Sequence, residues 1–258
     1  MTLQRSGGAS AFSTSADAYA ATMAPALRPV AEVVVERAAL GPTETVLDVG
    51  TGTGTGASLA RGDGRRVIGV DAAAGMLEIA RASVPGVEFL EADFTDLPQA
   101  DASIDAVLAV HALLFADDRP QALAEWLRVT VPGGRLSLSV PGPGDVVPTA
   151  VFAPVYDRFG IVWGDDYPTL DEVAGWATTA GWSDLETAAD PTTGIPLADD
   201  DAFRTWLRVG ARGRATASWS DETRERFATA LMAASPRAAD GGYRLPFGSL
   251  YLTATRPA

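Results

Sequence analysis

The chain has 258 residues, 47% of them apolar, and a formal net charge of −13. That length suits one α/β domain with an elaboration, and the acidic balance argues against a nucleic-acid surface, where basic stripes supply most of the affinity. Cysteine and lysine are both absent, which excludes disulfides, thiolate catalysis, Cys-metal sites, a Walker lysine and Schiff-base chemistry.

No run approaches the roughly 20 apolar residues of a membrane span. The N-terminus has no apolar h-region, so neither a secretory signal nor a membrane span is expected, and the cytoplasm is the expected location. Residues 1–15, rich in Ser, Gly and Ala, are expected to be flexible at the start. From Ala16 to Leu40 the spacing of Leu27, Val30, Val34 and Ala38 is helical. Pro25 and Pro29 interrupt it and predict two helices, the second starting near Pro29. Gly41-Pro42 ends the pattern.

A short apolar run at 44–49 reads as a buried strand, followed by glycines at every second position and a short helix to about Arg61. Further strands are predicted at 66–71, 87–90, 104–110 and 135–140, alternating with helices at 73–82 and 119–129. That alternation argues for a parallel sheet covered on both faces. After Pro141-Gly142-Pro143-Gly144 the texture changes, and most of the aromatic residues lie beyond position 150. Helices are predicted at 147–159, 169–180, 200–211 and 220–234, with Asp199 or Asp200 and Ser220 as N-caps. Two more strands are predicted at 182–188 and 248–255, and the segment 189–247 between them shows no strand pattern. Core packing explains most of these aromatics, and some can also line a pocket over the strand ends.

The chemistry concentrates at the ends of the first three strands. Gly50-x-Gly52-x-Gly54-x-Gly56 marks a turn that brings backbone N–H groups close to a ligand at a helix N-terminus. It departs from the dinucleotide fingerprint, because Thr55 stands where the third glycine belongs, and Asp48 is no part of that fingerprint. Asp71, about twenty residues past Gly50, is placed to accept from a ribose diol, or to cap the next helix. Asp93 is placed to accept from an adenine amine, or is a solvated loop acid. A nicotinamide-dependent oxidoreductase is the competing reading; it leaves Asp93-Phe94 and Pro132-Gly-Gly134 unexplained.

As a set, these residues resemble the class I S-adenosylmethionine-dependent methyltransferases of the small-molecule group that includes the ubiquinone and menaquinone enzymes. The matching stretches are Val46–Gly54, Gly69–Asp71 with Met76, Glu91–Pro98, Ser103–Val107 and Leu127–Gly134. The resemblance implies a Rossmann-like seven-stranded, mostly parallel sheet in the order 3-2-1-4-5-7-6, the last strand antiparallel, with N-terminal helices and an added helical cap. It implies N-terminal helices over 1–42 that can act as a lid, and a methyltransferase domain over 43–258 with helical insertions at about 145–180 and 190–245. By the same resemblance, Asp48 and the backbone of Gly50, Thr51, Gly52 and Gly54 would hold the methionine part of the cofactor. Asp71 would bind the ribose, with Ala72 and Met76 near the adenine. Asp93 would bind the adenine amine, Phe94 would flank the ring, and Val110 would lie beside the cofactor. Tyr19 would close over the site, or simply pack its helix.

The expected reaction moves a methyl group from S-adenosyl-L-methionine, leaving S-adenosyl-L-homocysteine, to an O, C or N atom of an apolar or aromatic small molecule of quinone or natural-product type. A cofactor-binding protein on the same scaffold that catalyses cyclisation, or is not catalytic, is the alternative. His111, the only histidine, is either a general base or a hydrogen-bonded structural residue. Asp17, Tyr156, Asp165 and Tyr243 are further conceivable groups on the acceptor side. No metal is expected, and the protein is expected to be a monomer or homodimer. The lack of lysine and asparagine beside plentiful Ala, Gly, Pro and Arg suits a GC-rich bacterial genome.

Overall fold

A computed structural model describes residues 2–3, 9–142, 148–163, 167–190 and 194–258. Two N-terminal helices, α1 (Ala9–Thr14) and α2 (Ala16–Arg37), precede the sheet. Then strands and helices alternate: β1 (Thr45–Val49), α3 (Thr55–Ala60), β2 (Arg66–Asp71), α4 (Ala74–Ser83), β3 (Glu88–Glu91), β4 (Ile104–Val110), α5 (Arg119–Val129) and β5 (Thr130–Pro141). The second half adds α6 (Pro148–Arg158), α7 (Leu170–Thr179), β6 (Ser183–Asp190), α8 (Asp200–Trp206), α9 (Gly210–Thr216), α10 (Asp221–Ala234) and β7 (Ser249–Thr255).

The seven strands form one sheet in the order β3-β2-β1-β4-β5-β7-β6. β1 to β5 pair in parallel, and β7 runs antiparallel to both of its neighbours, with Ser249 opposite Pro141 and Asp190. The order and the antiparallel last strand agree with the resemblance. Parallel strands covered on both faces read as continuous apolar runs, which is what Val46, Leu47 and Val49, all fully buried, provide.

Two apolar cores flank the sheet. One gathers Val46 and Leu108 with α2, α3, α4 and the aromatic residues of the cap. The other gathers Leu47, Val49, Val107 and Ala109 with α5 and α7. Successive strand residues alternate between them, so Asp48 shares the α2–α3 face with Val46.

Four sequence expectations need correction. First, α2 is one helix with Pro25 and Pro29 inside it. Both prolines are exposed, and the carbonyls they leave without helical donors belong to exposed Ala21 and Pro25, where water can reach. Burying Leu27, Val30 and Val34 gains about 1.5–3 kcal/mol each, enough to offset a proline cost of about 3 kcal/mol. Second, residues 9–14 of the supposedly flexible start form α1. Third, the segment taken to lack strands carries an antiparallel pair, Gly194–Leu197 with Tyr243–Pro246. Its inward residues alternate (Ile195, Leu197, Tyr243 and Leu245 are buried), but Pro196 and Pro246 mask the pattern. Fourth, the helix expected over 200–211 is two helices, α8 and α9, separated near Val209. The caps resolve to Asp199, accepting from Ala202 N at 2.8 Å, and Ser220, accepting from Thr223 N at 3.2 Å.

Candidate functional site

The glycine turn sits between β1 and α3 at the carboxyl end of the sheet. Gly50 has φ of +66°, and a Cβ there would stand 2.5 Å from the Cβ of Ala112, just past β4. Only glycine fits both the dihedral and the contact. Gly54, at φ of +86°, precedes the first turn of α3. The turn is laced to β2: Thr51 N donates to Val70 O at 2.9 Å, and Gly52 N donates to Asp71 Oδ2 at 2.8 Å.

Asp48 lies beneath this turn, 1% exposed. Its Oδ2 accepts from Thr51 Oγ1 at 2.6 Å and from Ala57 N at 2.7 Å. A Cβ on Gly56 would stand 2.9 Å from both carboxylate oxygens, so the α3 backbone can approach Asp48 only because residue 56 has no side chain. Burial pushes the Asp48 pKa up to about 6 against the lowering effect of those two hydrogen bonds, and the nearby Asp71 charge adds to the rise.

Asp71 spends one oxygen on Gly52 N and the other on Ala73 N at 2.9 Å. Burial raises its pKa, opposed by backbone N–H groups of Ala73, Gly52 and Ala72. An ionised carboxylate has about four lone-pair sites, so this one still has capacity for further donors. Tyr19 lies across the turn. Its phenol is held well above the ordinary value, by burial first and then by the charges of Asp71 and Asp48.

A narrow cavity of about 20 Å³ opens here. Of the residues singled out in the sequence, Tyr19, Asp48, Gly50, Thr51 and Val110 line it. Ala24, Leu27, Thr53, Thr55 and Gly56 complete the lining and were not anticipated. Gly56 and the threonines were visible as part of the alternating turn; nothing marked Ala24 and Leu27 beyond their helix face. The lining contains carboxylate and hydroxyl groups and no cationic side chain. Such a cleft favours a cation and disfavours a pyrophosphate, which fits the sulfonium and ammonium of S-adenosylmethionine.

The N-terminal helices cover the cleft. Ser13 of α1 sits on α4, where a Cβ at Gly75 would lie 2.5 Å from Ser13 O, and Gly75 N donates to Ser13 Oγ at 3.3 Å. Phe12 meets Tyr19 edge-on at 6.4 Å and Phe115 at 5.0 Å. Met76 joins Ala73 and Ala16 in a small core with Phe12 and Tyr19, beside half-buried Ala72.

Other candidates fall elsewhere. Asp93 is exposed and accepts from Thr95 N at 2.8 Å and Thr95 Oγ1 at 2.6 Å, a turn closed on itself. Phe94 packs against the α5–α7 core, and its carbonyl accepts from Trp126 Nε1 at 2.9 Å. Neither lines the cavity. His111 has φ of +53° and is 7% exposed. Its Nε2 is 3.1 Å from Ser249 Oγ, and its ring lies 5.2 Å from that of Phe247. Burial pushes its pKa down to about 3, so the imidazole is neutral at physiological pH. Asp17 is exposed on α2, Tyr156 is buried in the cap, and Tyr243 donates to Asp200 Oδ1 at 2.5 Å. Asp165 lies outside the described residues.

Residues 47–138 match a family model described as a methyltransferase domain. The chain is similar to a demethylmenaquinone methyltransferase of Renibacterium salmoninarum, 35% identical over 175 residues, covering 59% of this chain and 72% of that protein. It is also similar to methyltransferase GfsG of Streptomyces halstedii, 33% identical over 203 residues, covering 74% of this chain and 73% of that protein. Among solved structures, the cyclase SpnF shares the fold with a TM-score of 0.59 and 24% identity, over 90% of this chain and 81% of that one. With relatives above 30% identity aligned over more than two thirds of their length, and the expected sheet order and glycine turn in place, the chain belongs to the class I S-adenosylmethionine-dependent methyltransferases, with S-adenosylmethionine as its cofactor.

Proposed function

We propose that the protein transfers a methyl group to an oxygen, carbon or nitrogen atom of an apolar or aromatic small molecule of quinone or natural-product type. The observation that carries the reading is the anionic donor cleft, with Asp48 under the glycine turn and Asp71 beside it, next to a cap rich in buried aromatic rings. The two curated relatives are named as methyltransferases, one of a menaquinone precursor, which supports a small acceptor. When bound, S-adenosylmethionine supplies a sulfonium methyl that is already electrophilic. The chain's task is then to orient, to exclude water and to hold charge.

In this reading Asp48 holds the amino end of the cofactor together with the N–H groups of Gly50–Gly54, and Asp71 accepts from the ribose hydroxyls. Ala72 and Met76 border the adenine, Asp93 and Phe94 lie at its far side, and Val110 borders the sulfur end. Tyr19 and Leu27 roof the cleft. α1 and the start of α2, which close over this cleft, would act as a lid on the bound cofactor. Positioning of this kind can supply roughly 7–11 kcal/mol of the barrier. His111, neutral and engaged with Ser249, orients the end of β7 rather than carrying a full proton transfer.

The test is to incubate the protein with S-adenosylmethionine and a panel of hydroxylated naphthoquinones and phenols, and to follow S-adenosylhomocysteine release with the methylated product by mass spectrometry. Formation of both supports the reading; no transfer to any acceptor despite tight cofactor binding removes it. A second reading, a cofactor-binding catalyst of cyclisation on this scaffold, draws on the buried setting of His111, which lowers the basicity of its imidazole.

A further inference from the structure

The cap contains a cation without a counter-ion among the described residues. The Arg212 guanidinium of α9 stacks on the Trp206 ring of α8, its central carbon 3.9 Å from the ring centroid. Its Nε is buried and donates to nothing. Trp206 is fully buried, and its Nε1–H is likewise buried without an acceptor. Three other arginines of the cap meet carboxylates. Arg204 pairs with Glu225 at 2.7 Å, Arg224 with Asp221 at 2.6 Å, and Arg237 approaches Asp200 at 3.7 Å. In a chain with 33 acidic residues, no carboxylate among the described residues pairs with Arg212.

Arg212 itself is half-buried, but two buried N–H donors without acceptors are costly unless one arrives from outside. The surroundings say what kind. Trp206 packs on Phe152 at 5.9 Å and Phe203 at 5.4 Å. The phenols of Tyr156 and Tyr167 are close enough to feel the Arg212 charge. Tyr167 packs against both cores of the sheet and so stands at its edge. The same cap core continues into α2, whose Leu27 lines the donor cleft. We propose that Arg212, with the Trp206 N–H, binds a carboxylate on an aromatic methyl acceptor, the Nε edge of the guanidinium forming the fork and the surrounding rings receiving the flat apolar body.

This rests on the methyltransferase reading above and names its acceptor class as an aromatic carboxylate. A guanidinium presents its Nε and one terminal nitrogen as a two-pronged donor that matches a carboxylate. A neutral amide of the same shape offers a single acceptor oxygen and no charge.

The test is calorimetric titration of 1-naphthoate, 1-naphthamide and 1-naphthyl phosphate into the protein, both free and loaded with S-adenosylhomocysteine. Saturable binding of 1-naphthoate about tenfold or more tighter than that of the amide is expected, with Arg212→Gln removing the preference. Trp206→Phe keeps the ring and removes the N–H; it is expected to weaken the carboxylate about threefold while leaving the amide unchanged, and it stands as the deciding variant if Arg212→Gln does not fold. Equal binding of acid and amide, no binding of the acid, or a preference that survives both variants would overturn the proposal, as would selection of the phosphate over the carboxylate. Failure to bind S-adenosylhomocysteine would strike the donor-site reading instead, and the free-protein titrations would still decide this one.

Discussion

At the scale of single residues, the cleft rests on two carboxylates with different surroundings. Asp71 lies at the end of β2, tied to Gly52 and Ala73. Replacing it by alanine removes both a ligand and a brace of the turn, so Asp71→Ala is expected to weaken S-adenosylhomocysteine binding more than tenfold by calorimetry. An unchanged dissociation constant would show that the ribose lies elsewhere. Asp48, with its pKa pushed up to about 6, should make S-adenosylmethionine affinity fall as pH drops below about 6, by up to about tenfold per unit if only the ionised form binds. Asp48→Asn should flatten that profile. These residues were legible in the sequence because each stands where an apolar run stops. The setting of His111 was not, since its ring is held by Ser249 and Phe247, more than a hundred residues away in the chain. Arg212 was not legible either, because what marks it is its stacking on Trp206 without a counter-ion among the described residues.

At the scale of elements, the turn after β1 tests the close approach of two backbones. Gly50→Ala would put a Cβ 2.5 Å from that of Ala112, at a φ of +66°. A loss of roughly 1–3 kcal/mol in denaturant unfolding is expected. Adding Ala112→Gly should recover only the part due to the contact, leaving the dihedral cost. In α2 the exposed Pro29 leaves the Pro25 carbonyl without a helical donor, so Pro29→Ala should raise stability by about 1–3 kcal/mol, the upper end being the helix propensity difference before the unfolded chain regains freedom. The five parallel strands followed from alternating apolar runs and glycine turns, and their order from the family resemblance. The Ile195 and Leu245 strand pair did not, because proline in a short peripheral ribbon looks the same as proline in a loop.

At the scale of the whole molecule, two buried titrating groups pull stability in opposite directions. His111 has its pKa pushed from the ordinary 6.5 to about 3 by burial. Between those values the unfolded chain binds more protons than the folded one, so this group's contribution to stability falls as pH drops from 6.5 toward 3. Asp48 is raised from 3.8 to about 6. In that window the folded state binds more protons, and its contribution falls as pH rises. The net acid slope is therefore shallower than His111 alone would give. His111→Gln should remove the acid-labile part, worth at most about 3 kcal/mol between pH 6.5 and pH 4, leaving the contributions of Asp48 and Asp71, which grow as pH falls. Chemical denaturation across that range reads it directly.

In the proposed reading the first half of the chain builds a donor site and the second an acceptor cap, meeting at α2. The donor half was readable because its glycines, acids and strand ends recur at short spacing. The cap was not, because its contacts form between distant helices. The central claim is that the cleft under α2 is an anionic site for a cationic, sulfonium-bearing cofactor. Calorimetric titration with S-adenosylmethionine, and with NADH as the anionic comparator, tests it most directly. Saturable one-site binding of S-adenosylmethionine, lost in Asp71→Ala and absent for NADH, is the predicted result; binding of NADH with no heat from S-adenosylmethionine would contradict it.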